Sequence, residues 1–242
     1  MAMLNVWRIP ILFFISGMGD CFASQNRSWK QLMLERAKRI LVPFIFGIFC
    51  IVPIQIFIAQ QYYLQPFQYS PNPAHLWFLG NIFSYFLLLL PLLYYLKRNE
   101  NSRIMVQLII SYKGTLKRNE NNSFLLRLKK ILVSPLCFVI VIATFIAEAI
   151  LVNPILYELY AMTWHGFFLG LLAFFFGFLF ILGGAAFWSM LQRWRWIFFG
   201  MALALYMYRL MQLHMKVPHA ILVIESQAWI FSILAFGYSY LN

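Results

Sequence analysis

Residues 36–61 read RAKRILVPFIFGIFCIVPIQIFIAQQ. The stretch opens on three cations, Arg36, Lys38 and Arg39, and then runs from Ile40 to Gln61 without a charged side chain. An α-helix needs about 20 apolar residues to cross the hydrocarbon of a bilayer, because each residue adds about 1.5 Å of rise. In lipid every backbone polar group must also be paired within the protein, which a helix achieves by itself. This segment is long enough, and its cations mark the end that stays in water.

The same pattern recurs along the chain. Apolar runs occupy residues 7–23, 40–61, 75–96, 131–152, 163–188, 196–213 and 217–241, seven in all, the first being the shortest. Of the 19 Lys and Arg residues, all but three lie in three gaps, 24–39, 97–130 and 189–195, each between alternate runs. The remaining gaps are nearly bare. The Lys/Arg bias that orients membrane proteins places the three basic gaps in the cytoplasm. With 63% hydrophobic residues in 242, a soluble core of this size could not absorb the apolar surface. The expected fold is therefore all-α, a polytopic transmembrane helical bundle of about seven spans, forming one integral-membrane domain over 1–242 with a basic cytoplasmic loop at 97–130. The first span then runs outside to inside. An outside N-terminus without a signal peptide leads to the expectation of a further crossing upstream of Met1.

The net charge of +12 is accounted for by orientation, so nucleic acid is not an expected partner. Cys21, Cys50 and Cys137 have no paired spacing, which indicates neither a disulfide framework nor a metal site. Asn26-Arg27-Ser28 and Asn121-Asn122-Ser123 match a glycosylation pattern but fall in cytoplasmic gaps. Residues 96–101, LKRNEN, recur as 116–121; a polar repeat in a solvated loop carries no chemistry of its own.

Several polar residues stand out. Ser28 and Gln31 fit a capping box, so the first basic gap should hold a helix with its apolar stripe on the membrane surface. Arg36 and Arg39, three apart, would share a neighbouring face. They either grip a phosphate or hold the loop against anionic headgroups. Glu225 lies about eight residues into the last span, roughly 12 Å deep, and should find a buried donor. Arg209 is the candidate, and the pair is either a structural clamp or part of an outward-opening polar pocket with Ser226, Gln227, His214 and His219. Glu148 should reach headgroup water, Glu158 should lie outside, and His165 should be an interfacial residue. The glycines near His165 suit close helix approach. His75 opens the third span beside Trp77 and is either a belt residue or a proton acceptor for a hydroxyl.

Three blocks, WRIPILFFISG (7–17), ERAKRILVP (35–43) and HLWFL (75–79), in this order and topology, resemble the membrane-bound acyltransferase-3 family, including its glucan-biosynthesis protein C type. The resemblance is firm over 7–96 and looser at FFFG (174–177) and GYSYLN (237–242). It implies an integral enzyme of the bacterial inner membrane that moves an acetyl- or succinyl-type group from acyl-CoA to a hydroxyl of a sugar or glycan. No bound cofactor is implied; acyl-CoA is a substrate. Arg36 and Arg39 match the family's basic pair and imply a donor site, while His75 and Trp77 match its His-Leu-Trp block on the acceptor side, where Glu225 and Arg209 also lie. The resemblance implies two further spans: an additional first span carrying the family's general-base histidine, which would lie upstream of Met1, and a closing span, which would lie after Asn242. No catalytic residue is therefore assigned within 1–242, and the catalytic competence of the shortened chain is left open. The alternatives are a transporter or flippase for a lipid-linked saccharide, against which no repeated halves are visible, and a catalytically silent remnant.

Overall fold

The structure, a computed structural model, describes residues 2–24, 28–69, 71–113, 123–212 and 217–241, and among them every regular element is helical. Helix α1 covers Ala2–Ala23. The second crossing joins α2 (Trp29–Arg36), α3 (Val42–Phe46) and α4 (Val52–Tyr62) end to end through π-helical turns at Ala37–Leu41 and Gly47–Ile51. There follow α5 (Trp77–Lys113), α6 (Ser123–Leu132), α7 (Leu136–Val152), α8 (Trp164–Leu182), α9 (Gly184–Arg193), α10 (Arg195–Met211) and α11 (His219–Leu241). Among the described residues five stretches are long and apolar enough to cross a membrane: Leu4–Ala23, Lys30–Tyr62, Ala74–Leu93, Trp164–Leu182 and His219–Tyr240. At 17 residues each, α7 and α10 stand at the short end of the crossing range of about 17–25, where the fourth and sixth spans are expected. The fold is an all-α bundle of a membrane protein.

Packing fixes the directions of the helices independently of charge. Val6 meets Tyr160 just ahead of α8, Phe13 meets Gly170, and Gly17 meets Phe174. Contacts thus advance together along α1 and α8, which run parallel, as two odd-numbered crossings must. Against α7 the order reverses, with Phe145 near Phe176 and Glu148 bonded to His165, so α7 is antiparallel to α8. Phe231 packs on Phe180 and Tyr238 on Trp188, giving α11 the direction of α8. Alternation of basic and bare gaps and alternation of packed helices agree.

Among the described residues the most extensive helix–helix contact is α1 on α8. It depends on glycine at two facing positions. A Cβ on Gly17 would fall on the carbonyl of Phe174, and one on Gly177 would fall on the carbonyl of Phe14. Small residues at such points let two backbones approach where no hydrophobic drive separates helix from lipid. Around this contact, Phe14 stacks on Phe180, whose ring also stacks on Phe187.

The second crossing differs from expectation. α2 does not lie along the membrane surface as a separate helix; it continues into the span. The capping box is present, with Ser28 and Gln31 bonded reciprocally, but nothing ends the helix before Ile40. Ala37 keeps right-handed helical geometry (φ −56°, ψ −49°). The two π turns precede Pro43 and Pro53, and the cause is visible at the second. The Val52 N–H bonds the Gly47 carbonyl five residues back, so the next acceptor, Ile48, faces Pro53, which has no N–H. The Tyr69 hydroxyl, from the return loop, donates to that Ile48 carbonyl instead. The Lys30–Tyr62 helix, 33 residues, is about 50 Å long at 1.5 Å per residue. Phe44 lies against Gly80 and Leu76 against Gly47, so α4 runs on past the start of α5.

Asn153 ends α7 in the left-handed region (φ 46°), a conformation Asn tolerates better than most side chains, and Pro154 follows. In the long inner gap α5 continues to Lys113, so the first half of the expected loop is helical; residues 114–122, with the whole of the second LKRNEN copy, lie outside the described residues.

Gly177→Val should lower the melting temperature of the purified protein markedly, since overpacking costs about 1–3 kcal/mol even where neighbours can shift. Gly200→Ala, where a Cβ meets nothing within 4 Å, should not lower it. Equal effects would show that the α1–α8 contact is not the tight point. In a background without native cysteines, Arg39→Cys should react with an impermeant thiol reagent only from the cytoplasmic side and His75→Cys only from the opposite side. Both positions are exposed, and labelling from one side would overturn the topology.

Candidate functional site

Two polar centres stand at opposite ends of the bundle. At the inner end, Asp20 projects from the last turn of α1 and forms an ion pair with Arg36, Oδ1 to Nη2. The carboxylate is buried and the Arg36 side chain keeps 19% exposure. Asp20 is the one acidic residue in the first apolar run, and that isolation is the signal in the sequence that points to it. Arg39, on the first π turn, is exposed. An i→i+5 turn rotates successive side chains less than an α-turn does, so the two guanidinium groups diverge: Arg36 turns in to α1 and Arg39 out.

At the outer end, the close of α10 and the start of α11 bring Arg209 over Glu225. Arg209 is a fork. Its Nη1 donates to Glu158 Oε1 at 2.8 Å and its Nη2 to Glu225 Oε1 at 2.9 Å. Glu225 has no exposed surface, whereas Glu158 retains a third of its own. The expected pairing of Glu225 with Arg209 is observed, and Glu158, which the sequence left outside, completes it. Ser226 donates to the Val6 carbonyl at 3.0 Å. Gln227 is buried beside it, with neither amide atom bonded among the described residues. His214 lies outside the described residues.

A second buried pair sits next to the first. His165, expected at the interface, is 1% exposed, and Glu148, expected in reach of headgroup water, is 6% exposed. His165 Nδ1 lies 3.0 Å from Glu148 Oε1 and Nε2 3.1 Å from the Tyr157 carbonyl. The correction has a physical cause: the outer loop folds Tyr157 and Tyr160 over the imidazole, ring centroids 4.9 and 5.6 Å away, and closes it from water. Burial, reinforced by the Glu148 carboxylate, raises the Tyr157 phenol, and burial foremost raises that of Tyr160. Both therefore remain hydroxyl donors at physiological pH, and Tyr160 donates to the Val6 carbonyl at 2.8 Å.

A pocket of about 500 Å³ opens between this loop and the α10–α11 turn. Its polar wall is Glu158, Arg209 and His219, and its rim is apolar, including Leu156 and Leu159. The structure does not bring His75 and Trp77 into this pocket. His75 is exposed on the short helical turn Ala74–Leu76. Trp77 is buried with its ring edge-on to Phe13 at 6.2 Å, so packing occupies it. Among the described residues no cluster of three His, Cys, Asp or Glu side chains could hold a metal.

Arg209→Gln should destabilise the protein strongly, because removing one partner of a buried pair typically costs about 3–5 kcal/mol. Adding Glu225→Gln should recover most of the loss in a thermal melt. A double variant that melts no higher than the single one would show that charge pairing is not what Arg209 supplies.

No curated protein and no solved structure matches the chain. One family model does, described as an acyltransferase domain, and it covers residues 2–241, both helical ends included. With the helical bundle and a match over nearly every residue, the chain belongs to the membrane acyltransferase-3 family, and its class of activity is acyl transfer.

Proposed function

We propose that the protein transfers an acetyl- or succinyl-type group from acyl-CoA, presented at the cytoplasmic face of a bacterial inner membrane, to a hydroxyl of a sugar or glycan on the opposite side. The observation that carries this reading is the separation of the two polar centres, with Arg36 and Arg39 at the inner end and a pocket walled by Glu158, Arg209 and His219 at the outer end. Arg36 and Arg39 suit the phosphates of a CoA, since arginine forms charge-assisted, often bidentate, bonds to phosphate. The pocket beside Arg209 suits a polyol, because Glu158 accepts hydrogen bonds from hydroxyls while Arg209 and His219 can donate, and the apolar rim meets a sugar's carbon face. Glu225 supports that wall from behind by fixing Arg209. His75, on the same side, is an exposed imidazole at the membrane edge.

In the transfer, the acceptor oxygen attacks the thioester carbonyl, the C–O bond forms and the C–S bond breaks. The hydroxyl proton passes to a base, and CoA leaves as a thiolate that takes up a proton. The donor's phosphates and the acceptor are held at opposite ends, so the arm carrying the thioester must enter along the bundle.

Membranes containing the protein, given acyl-CoA radiolabelled in the acyl group, should incorporate label into saccharide. Arg36→Gln with Arg39→Gln should raise the KM for acyl-CoA by about tenfold or more, the loss of one to two charge-assisted contacts, with the melting temperature checked in parallel. Movement of saccharide across the membrane without label would overturn the reading in favour of transport.

A further inference from the structure

We propose that Asp20 is a positioning residue of the donor site: it fixes one edge of the Arg36 guanidinium so that the remaining N–H donors are preset for a phosphate at the inner face. This rests on the donor reading above and assigns within it a residue that the three family-like blocks do not contain.

The argument begins with burial. Asp20 is 2% exposed and lies at the inner end of α1, where α1 is pinned to α8 through Gly17 and Gly177. It cannot swing out to water without that contact opening. Its carboxylate meets Arg36 through Oδ1 and Nη2. Arg36 in turn comes from the last turn of α2, whose helix runs unbroken into the second span, so both ends of the pair are mounted on rigid elements. A guanidinium carries five donors, and one carboxylate cannot use them all. The side chain keeps 19% exposure, so a second anion can reach what Asp20 leaves. An arginine held in one orientation loses less rotamer entropy when it closes on a ligand, which is the general basis of preorganised binding.

The π turn adds the second half of the arrangement. Arg39 is exposed, and among the described residues no ion pair holds it. The inner face therefore presents one anchored guanidinium and one exposed cation about a single turn apart. A phosphate meets the first at a fixed point and the second by its reach. The pattern fits an extended donor bearing more than one phosphate better than a lone headgroup, which one exposed cation alone would hold.

The test compares two donors in full-length protein reconstituted in phosphatidylethanolamine/phosphatidylglycerol nanodiscs: acetyl-CoA, and S-acetylpantetheine, which has the same thioester arm and no phosphate. Asp20→Asn should raise the KM for acetyl-CoA by about tenfold and leave the KM for S-acetylpantetheine within about twofold, with kcat little changed for either. Asp20→Glu should restore part of the acetyl-CoA affinity. A residue that merely holds the fold would shift both donors together with the melting temperature, and that result, or no shift for either donor, overturns the inference while leaving the donor reading intact. Should Asp20→Asn fold poorly, Asp20→Glu, which keeps the charge and displaces it, carries the test: a KM raised for acetyl-CoA and unchanged for S-acetylpantetheine supports the inference, and the absence of a donor-selective rise overturns it. Wild-type protein that uses neither thioester, and binds no CoA by calorimetry, overturns the donor reading and this inference with it.

Discussion

The carbonyl of Val6 is the constraint around which the outer half of the molecule is organised. Pro10, four residues on, has no N–H to give it, and at membrane depth an unpaired backbone acceptor is expensive because no water is at hand. Two hydroxyls answer it, Tyr160 from the outer loop and Ser226 from α11. One missing hydrogen bond thereby ties three distant parts of the chain together. The hydroxyl of Tyr160 brings the loop down over His165, and that of Ser226 seats α11 beside α1 with Glu225 turned to Arg209. The same rule operates once more in the second crossing, where Pro53 leaves the Ile48 carbonyl to the Tyr69 hydroxyl. In each case a proline frees an acceptor inside a helix, and a tyrosine from a loop takes it.

This explains why loops at the outer face are ordered by groups inside the helices. Turn residues such as Asn153 and Pro154 reverse the chain, but they do not say where the reversed chain comes to rest. The freed carbonyls do. A loop so fastened can form one wall of a pocket, and Tyr157, Glu158 and Leu159 do form that wall. At the inner end the corresponding organiser is an ion pair, Asp20 with Arg36, reached by a helix that two π turns keep continuous rather than broken.

The bundle was legible in the sequence because its signals are additive. Runs of about 20 apolar residues and the placement of cations set the crossings and their directions, and the packing order along α1, α7, α8 and α11 agrees with them. The pairing of Glu225 with Arg209 was legible too, since a carboxylate at that depth has few possible partners. The rest required distances. Glu148 and His165 each look interfacial when judged by position along their own span. What buries them is the outer loop, whose resting place depends on the Val6 carbonyl, and no residue-by-residue reading of hydropathy contains that. Asp20 was passed over because it lies in an apolar run, although its isolation there was itself the clue. His75 and Trp77, adjacent in one motif, have separate surroundings: the short turn before α5 leaves the imidazole outside and carries the indole against Phe13.

The hydrogen bonds of His165 bound the chemistry. Its Nδ1 faces a carboxylate oxygen and its Nε2 a backbone carbonyl, and the carbonyl can only accept. Nε2 must therefore carry a hydrogen and donate it to Tyr157. The remaining contact, Nδ1 with Glu148, needs one more proton, which resides on the imidazole as an ion pair or on the carboxyl as a neutral pair. In either form the imidazole has no lone pair directed at a substrate. His165 is thus a clamp that fastens α7, α8 and the outer loop to one another, and a general base for acyl transfer has to come from another group. The fastening still bears on function, because Tyr157 borders the pocket: an imidazole that holds the Tyr157 backbone also sets where Glu158, the next residue, meets Arg209.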